Sequence, residues 1–483
     1  MRRTVNALGK LKWGKKAYAV FVLCATTAIP LPAQTFTTLH SFDGTDGQGP
    51  KAGLVQATNG NLYGTTEQGG AYGGGTVFKI TPGGTLTTLY SFCSQINCTD
   101  GQSVEAGLVQ ATNGYLYGTT LQGGANGTGG GTIFKITPSG TLTTLYSFCN
   151  QNGCTDGKYP YAGLVQAGNG DLYGTTTGGG ANGGGTVFKI TPSGTLTTLY
   201  SFCAQSGCTD GSGPYAGLVQ AANGYLYGTT FFGGVPGWGT VFKITPSGTL
   251  TTLYSFCSQS GCTDGQDPEA GLVQATNGYL YGTTYAGGPN GGGTVFKITP
   301  SGTLTTLYSF LCDQSRCPDG QYPVAGLVQA TDGNLYGTAA DGANGSYGTV
   351  FKITPSGNLT TLYLFDGQIP IAGLVQATNG NFYGTAYDGG ASNDGTVFSL
   401  SVGLGPFVKT QPASGKVGAA VKILGTNLTG ATSVSFNGTA AVFTVVSSSL
   451  ITTTVPAGAS SGKVQVVTPG RTLSSNVPFQ VRP

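Results

Sequence analysis

Histidine and charge are the scarcest commodities in this chain, and their scarcity excludes much. Among 483 residues there is one histidine, His40, and only 8% are charged. With a single imidazole, no Ser-His-Asp or Cys-His arrangement can be assembled except around His40 itself. So little charge rules out a solvated, disordered chain. No stretch carries the 3.6-residue apolar period of a long amphipathic helix. The cysteines have neither a nearby histidine nor CxxC spacing, so no metal centre is expected and no cofactor is called for.

The net charge of +3 is misleading. Six basic residues (Arg2, Arg3, Lys10, Lys12, Lys15 and Lys16) lie in the first 33 positions, which hold no acid. Beyond them 15 basic residues face 18 acidic ones, a balance of −3. That composition argues against a nucleic-acid surface. The basic start, the apolar run Ala17–Ile29 and the closing Leu31-Pro32-Ala33 together read as a secretory signal over 1–33. The run is short for a membrane anchor, so no transmembrane segment is expected after cleavage.

What is abundant is glycine, 86 residues, placed mainly at loop positions as many tight turns require. The phrase Ala-Gly-Leu-Val-Gln recurs unchanged at Ala52, Ala106, Ala162, Ala216, Ala270, Ala325 and Ala372, in steps of 54, 56, 54, 54, 55 and 47 residues. A period of that size marks an array of one supersecondary unit. Each unit contains four runs rich in Val, Ile, Thr, Tyr and Phe. In the first they are Gly53–Ala57, Asn61–Thr66, Gly75–Thr81 and Thr85–Phe92, with Asn59-Gly60 as a hairpin turn. Four strands per repeat fit a propeller blade. The seventh unit lacks its fourth strand, whereas an orphan copy, Thr35–Phe42, precedes the first unit. The expected class is therefore all-β: a seven-bladed β-propeller over 34–402 closed by the N-terminal strand, which leaves no exposed sheet end. From 403 to 483 the period stops, and short alternating strands suggest a small immunoglobulin-like β-sandwich.

Ten cysteines form five pairs, each with four residues between: Cys93/Cys98, Cys149/Cys154, Cys203/Cys208, Cys257/Cys262 and Cys312/Cys317. In an exported chain these read as disulfides stapling loops. His40 occupies the place of Tyr90, Tyr146, Tyr200, Tyr254, Tyr308 and Tyr363, so it reads as a strand residue. The sevenfold glutamines (Gln56 and its copies) read as satisfied by a neighbouring blade's backbone. The Asp-Gly set led by Asp46 and Asp100 reads as turns in which the carboxylate caps its own loop.

The motifs Gly60-Asn-Leu-Tyr-Gly-Thr-Thr66, Gly69-Gly70, Gly75-Thr-Val-Phe78 and Leu89-Tyr-Ser-Phe92 resemble the GloVer tandem-repeat family of exported bacterial proteins, over about 35–401. The resemblance implies a secreted or surface setting and no particular reaction. Ile423-Leu-Gly-Thr-Asn-Leu428, Gly430-Ala-Thr-Ser-Val-Ser-Phe-Asn-Gly438 and Val455-Pro-Ala-Gly-Ala459 resemble an IPT/TIG domain. Such domains serve as spacers or interaction modules.

Function is expected where the copies differ. The loops joining strands two and three, and those joining consecutive units, share one face and vary. They carry Tyr72, Tyr159, Tyr161, Tyr215, Phe231, Phe232, Trp238, Tyr285, Tyr322, Tyr347 and Tyr387 as exposed aromatics. Variable loops on a constant scaffold are where binding usually lives. The reading is a non-catalytic binding module for an extracellular glycan or a surface protein, with no catalytic residue assigned. A glycan-active hydrolase or lyase using loop carboxylates (Asp267/Glu269, Asp388/Asp394 or Asp43/Asp46) is the alternative, and a purely structural surface component the third.

Overall fold

The computed structural model describes residues 34–125, 129–311, 317–342 and 347–482. The signal peptide expected over 1–33, and Cys312, lie outside the described residues. Apart from single 3-10 turns such as Ile96–Cys98, the described chain is strand and loop. No helix among the described residues is long and apolar enough to cross a membrane.

Seven four-stranded antiparallel sheets follow one another, of the kind propeller blades are made from. The first comprises β2 (Val55–Gln56), β3 (Leu62–Thr66), β4 (Thr76–Ile80) and β5 (Leu86–Ser91). The seventh takes Val375–Gln376, Phe382–Ala386 and Thr396–Ser401 from the end of the array. Its fourth strand is β1 (Thr35–Ser41), paired antiparallel with Thr396–Ser401. The orphan strand thus fills the vacancy that the sequence count left. The inner strand is shorter than expected, two residues in place of five. Ala57 already belongs to the turn, where its N–H donates to the Asn61 carbonyl.

Each element of the constant phrase has a packing reason. A Cβ on Gly53 would stand 2.6 Å from the Gly373 carbonyl oxygen, and one on Gly163 would stand 2.7 Å from that of Gly107. The inner strands therefore converge backbone to backbone, which only glycine permits. A Cβ on Gly64 would strike the Phe78 ring and Leu54. The glutamine side chains tie sheet to sheet. The Oε1 of Gln110 accepts from Thr58 N, and the pattern repeats through the array at 2.8–3.1 Å, ending with Gln56 accepting from Thr378 N of the seventh sheet. The threonine hydroxyls do the same, from Thr65 donating to Ala106 O through Thr385 donating to Ala52 O. Tyr63 and its copies are buried between sheets. The core is accordingly a set of inter-sheet clusters. One joins Phe42, Tyr383 and Val397 of the seventh sheet to Leu54, Leu62, Phe78 and Ile80 of the first.

The loop staples form. Cys93–Cys98, Cys149–Cys154, Cys203–Cys208 and Cys257–Cys262 are disulfides, and Cys317 is disulfide-bonded. In the first four of these loops the aspartate caps its own backbone: Asp100 accepts from Ser94 N and Gln95 N and from the Tyr90 hydroxyl, and Asp156, Asp210 and Asp264 do the same. His40 takes the tyrosine's part in the first loop, with Nε2 2.6 Å from Asp46 Oδ2.

From Lys409 onward, strands Lys409–Gln411, Ala420–Leu424, Leu450–Thr454 and Phe443–Ser447 form one sheet. Thr439–Ala441, Ser433–Phe436, Val464–Thr468 and Arg471–Ser474 form a second. Val421, Ile423, Val434, Phe436, Ile451, Val464 and Val466 fill the space between them, as in a β-sandwich.

Candidate functional site

The variable face has an invariant frame. In all seven repeats the first residue after the second strand donates its N–H to a carbonyl in the loop entering that repeat. The pairs are Glu67 to Gly49, Leu121 to Ser103, Thr177 to Tyr159, Phe231 to Gly213, Tyr285 to Asp267, Ala340 to Tyr322 and Tyr387 to Ile369, at 2.8–3.1 Å. The accepting residue is left-handed in six of them, with φ of 57–62°. Tyrosine, serine and aspartate are held in this conformation, strained for them, because the loop is pinned by its own bonds. Backbone thus stays fixed while side chains change.

Two sets of side chains result. The inner set is the residue immediately before each constant alanine: Lys51, Glu105, Tyr161, Tyr215, Glu269, Val324 and Ile371, all half-buried. Two residues further on, the glycines of neighbouring sheets approach backbone to backbone, so this set converges at one end of the inner strands, the mouth of the variable face. The second set follows each second strand: Glu67, Leu121, Thr177, Phe231, Tyr285, Ala340 and Tyr387.

The aromatic residues expected to be exposed divide between mouth and rim. Tyr72 (60% exposed), Phe232, Trp238, Tyr159 and Tyr347 are exposed on the rim. Tyr161, Tyr215, Phe231, Tyr285, Tyr322 and Tyr387 are only half-buried, which corrects the expectation of full exposure. The frame draws them inward onto one another. Tyr161, Tyr215, Phe231 and Phe232 form a continuous arc with ring centroids 5.2, 5.2 and 4.7 Å apart. Tyr285 stacks on Tyr322 at 4.7 Å. Tyr159 lies under the Lys158 ammonium, 5.2 Å from the ring centroid. The arc does not include Tyr72, Trp238 or Tyr347.

Charge gathers at the mouth as well. Lys51 Nζ lies 3.1 Å from Glu67 Oε2 and 3.1 Å from Glu105 Oε2, and the Glu105 side chain is only 6% exposed. Tyr387 presents its ring 5.6 Å from the same ammonium. Burial opposes the charge on Lys51, but Glu105 and Glu67 outweigh it and hold its pKa above the ordinary lysine value. Burial raises Glu105, with Lys51 pulling the other way. Burial also raises Glu269, which feels Lys51 and Glu105 and makes no ion pair among the described residues. Tyr161 is driven well above the ordinary phenol by burial and then by Glu105 and Glu269. These groups therefore share one electrostatic neighbourhood.

Lys51, Glu67 and Glu105 were not singled out by sequence reasoning. The signal was available: one position varies strongly directly beside a pentapeptide that never varies. Of the carboxylate pairs considered, Asp267/Glu269 reaches the mouth. Asp43 caps Thr45, and Asp46 holds His40. No cluster of three or more His, Cys, Asp or Glu side chains suited to a metal exists among the described residues.

The opposite face carries constant turns, and part of it is covered. Lys409 Nζ donates to the Gln376 carbonyl, Gln411 Nε2 to the Gln110 carbonyl, and Lys422 Nζ to the Thr112 carbonyl. Ser449 Oγ donates to Thr58 O at 3.1 Å, and Thr426 and Thr378 hydroxyls pair at 2.9 Å.

Comparison with known families matches the Gloeobacter/Verrucomicrobia repeat to residues 25–209 and 203–398, most of the chain. The chain belongs to the Gloeobacter/Verrucomicrobia repeat family. An IPT/TIG domain matches residues 407–481 of this repeat protein. A comparison with curated proteins finds no match. Among solved structures, a fungal alcohol oxidase in complex with copper is similar with a TM-score of 0.52 at 13% identity, covering 93% of this chain and 99% of its own. An ulvan lyase, a polysaccharide lyase, aligns with a TM-score of 0.46 at 10% identity, covering 75% of this chain and 96% of its own. At such identity the likeness of the repeat protein to the oxidase is one of fold alone.

Proposed function

We propose that the Gloeobacter/Verrucomicrobia repeats of this chain are a closed seven-bladed β-propeller over 34–402 that serves as an exported or cell-surface binding module, its ligand an extracellular glycan or a surface protein held on the variable face. In this reading residues 1–33 are the cleaved signal and 403–483 the β-sandwich domain. The observation that carries it is the sevenfold backbone frame with differing side chains: a scaffold held constant while the surface it presents diversifies. The aromatic arc gives that surface rigid apolar area, and the Lys51–Glu67–Glu105 group gives it directional polar contacts. Disulfide-stapled loops suit an extracellular setting.

The test is a glycan array and a surface-protein screen with the full chain, followed by the triple substitution Phe232→Ala, Trp238→Ala and Tyr285→Ala. Loss of binding without loss of folding supports the face; unchanged binding removes it. A hydrolase or lyase reading has one specific observation behind it: Glu105 and Glu269 are both raised by burial, and only Glu105 is held by a lysine, the kind of separation that distinguishes an acid from a base. Polysaccharide turnover abolished by either Glu105→Gln or Glu269→Gln would favour catalysis over simple binding.

A further inference from the structure

We infer that the mouth takes an amino-sugar glycan, the ammonium of one sugar unit seated against Glu269 and the apolar faces of the units on the neighbouring aromatic rings. This names a ligand class for the variable face and rests on that face being the binding surface. The charges at the mouth are unbalanced. Lys51 is the one cation in the two side-chain sets, against Glu67, Glu105 and Glu269. Its ammonium is already committed, 3.1 Å from both Glu67 and Glu105. Glu269 is left over: half-buried, with neither an ion pair nor a hydrogen bond among the described residues. Burial works most strongly against its ionised form, and Glu105 adds to this, while Lys51 offsets them only from a distance. The fold does not require this carboxylate. Val324 and Ile371 hold the same position in the sixth and seventh repeats, and the frame around it is made of backbone bonds. A charge that the scaffold neither needs nor pairs is free to meet an incoming cation.

Aromatic rings complete the site. Glu269 acts on both Tyr161 and Tyr285, so it stands within electrostatic reach of the arc's first ring and of the Tyr285–Tyr322 stack. Asp267, buried and two residues upstream, acts on the same Tyr285. A carboxylate beside π faces favours an ammonium twice, by direct attraction and through the ring quadrupole. The arc decides which carrier of that ammonium fits. A lysine side chain can use one ring, whereas Tyr161, Tyr215, Phe231 and Phe232 offer four in unbroken succession. Successive rings suit a chain of pyranoses, each with an apolar C–H face to lay on them. The hydroxyls of such units have the Lys51–Glu67–Glu105 group to meet.

Calorimetric titration of the full chain at about pH 6, where amines are protonated, compares three probes: a glucosamine tetramer with free amines, the same tetramer N-acetylated, and a lysine tetrapeptide. The native protein should bind the free-amine tetramer at least about tenfold more tightly than either of the others. Glu269→Gln should erase the preference over the acetylated tetramer and leave the affinity for the latter unchanged. Tyr215→Ala with Phe231→Ala should weaken both sugars. Should Glu269→Gln misfold, Glu269→Val replaces it, since the sixth repeat carries valine at this position. Equal binding of the two sugars, a preference that survives the Glu269 change, binding of the lysine peptide as tight as that of the free-amine sugar, or no binding of any probe overturns the inference. Equal binding of the sugars that is lost with Tyr215→Ala and Phe231→Ala overturns the amine preference while upholding the variable face; sugar binding that neither change touches counts against the face itself.

Discussion

Lys409 offers a sharp quantitative test of how the C-terminal domain is docked. The residue retains some accessible surface, but its ammonium head is enclosed, on the Gln376 carbonyl, and burial lowers its pKa from 10.5 to about 8. No carboxylate contributes to that shift, so the whole displacement is desolvation. A folded-state value below the unfolded one has a definite sign. Above pH 8 the native protein has released this proton while the unfolded chain still holds it, so stability rises with pH, up to about 3 kcal/mol by pH 10.5. Below pH 8 both states are protonated and the contribution is flat. The half-buried tyrosines Tyr146 and Tyr200 act in the opposite direction: their raised values penalise the fold once unfolded tyrosines ionise near pH 10. The usable window is therefore pH 8 to 9.5, in which Lys409 alone yields roughly 2 kcal/mol. Urea denaturation followed by circular dichroism at stepped pH measures it. Lys409→Met removes the gain and, at pH 7, removes the desolvation cost while leaving one carbonyl unpaired, a loss of about 1–3 kcal/mol that largely offsets the benefit. A native stability that is flat or falls between pH 8 and 9.5, or a methionine variant with the native slope, would refute the reasoning.

Other expectations follow from the packing of the constant phrase. Gly53→Ala, whose Cβ would meet the Gly373 carbonyl at 2.6 Å, should destabilise by about 1–3 kcal/mol in a thermal melt, whereas Gly271→Ala, with 3.5 Å available, should cost less than about 1 kcal/mol. Gln110→Ala strips the acceptor from Thr58 N and should cost about 1–3 kcal/mol by urea denaturation, with the loss partly recovered by Gln110→Glu. His40→Tyr, which restores the side chain that pairs with aspartate in five other loops, should leave the melting temperature within a degree or two.

Most of the fold was legible because each repeat says the same thing seven times. The offset of one strand between the two ends, with Thr35–Ser41 as the spare, was enough to pair it with Thr396–Ser401. The roles of Gln56, Tyr63, Asp100 and His40 were readable from their periodicity, since a residue needed in every unit serves the unit. The mouth was less legible for the same reason. Lys51, Glu105 and Glu269 are isolated charges in separate repeats, 54 to 218 residues apart, and only the convergence of inner strands brings them together. The half-burial of Tyr161, Tyr215 and Phe231 likewise depends on loops pinned by backbone bonds that leave no residue signature. Nor did the docking of the C-terminal domain announce itself. Apart from the Thr426–Thr378 hydroxyl pair, the hydrogen bonds by which it docks are to main-chain carbonyls, which every sequence supplies.

In the proposed function, recognition belongs to the variable face and not to the constant one. Its most direct measurement is the affinity of one ligand found by array for two variants of the full chain. Tyr215→Ala with Phe231→Ala alters the mouth; Tyr225→Ala with Tyr279→Ala alters exposed tyrosines on the opposite rim. At least a tenfold loss is expected for the first pair, with about 1.4 kcal/mol per tenfold, and native affinity for the second. Retained affinity in the first pair together with loss in the second would contradict it.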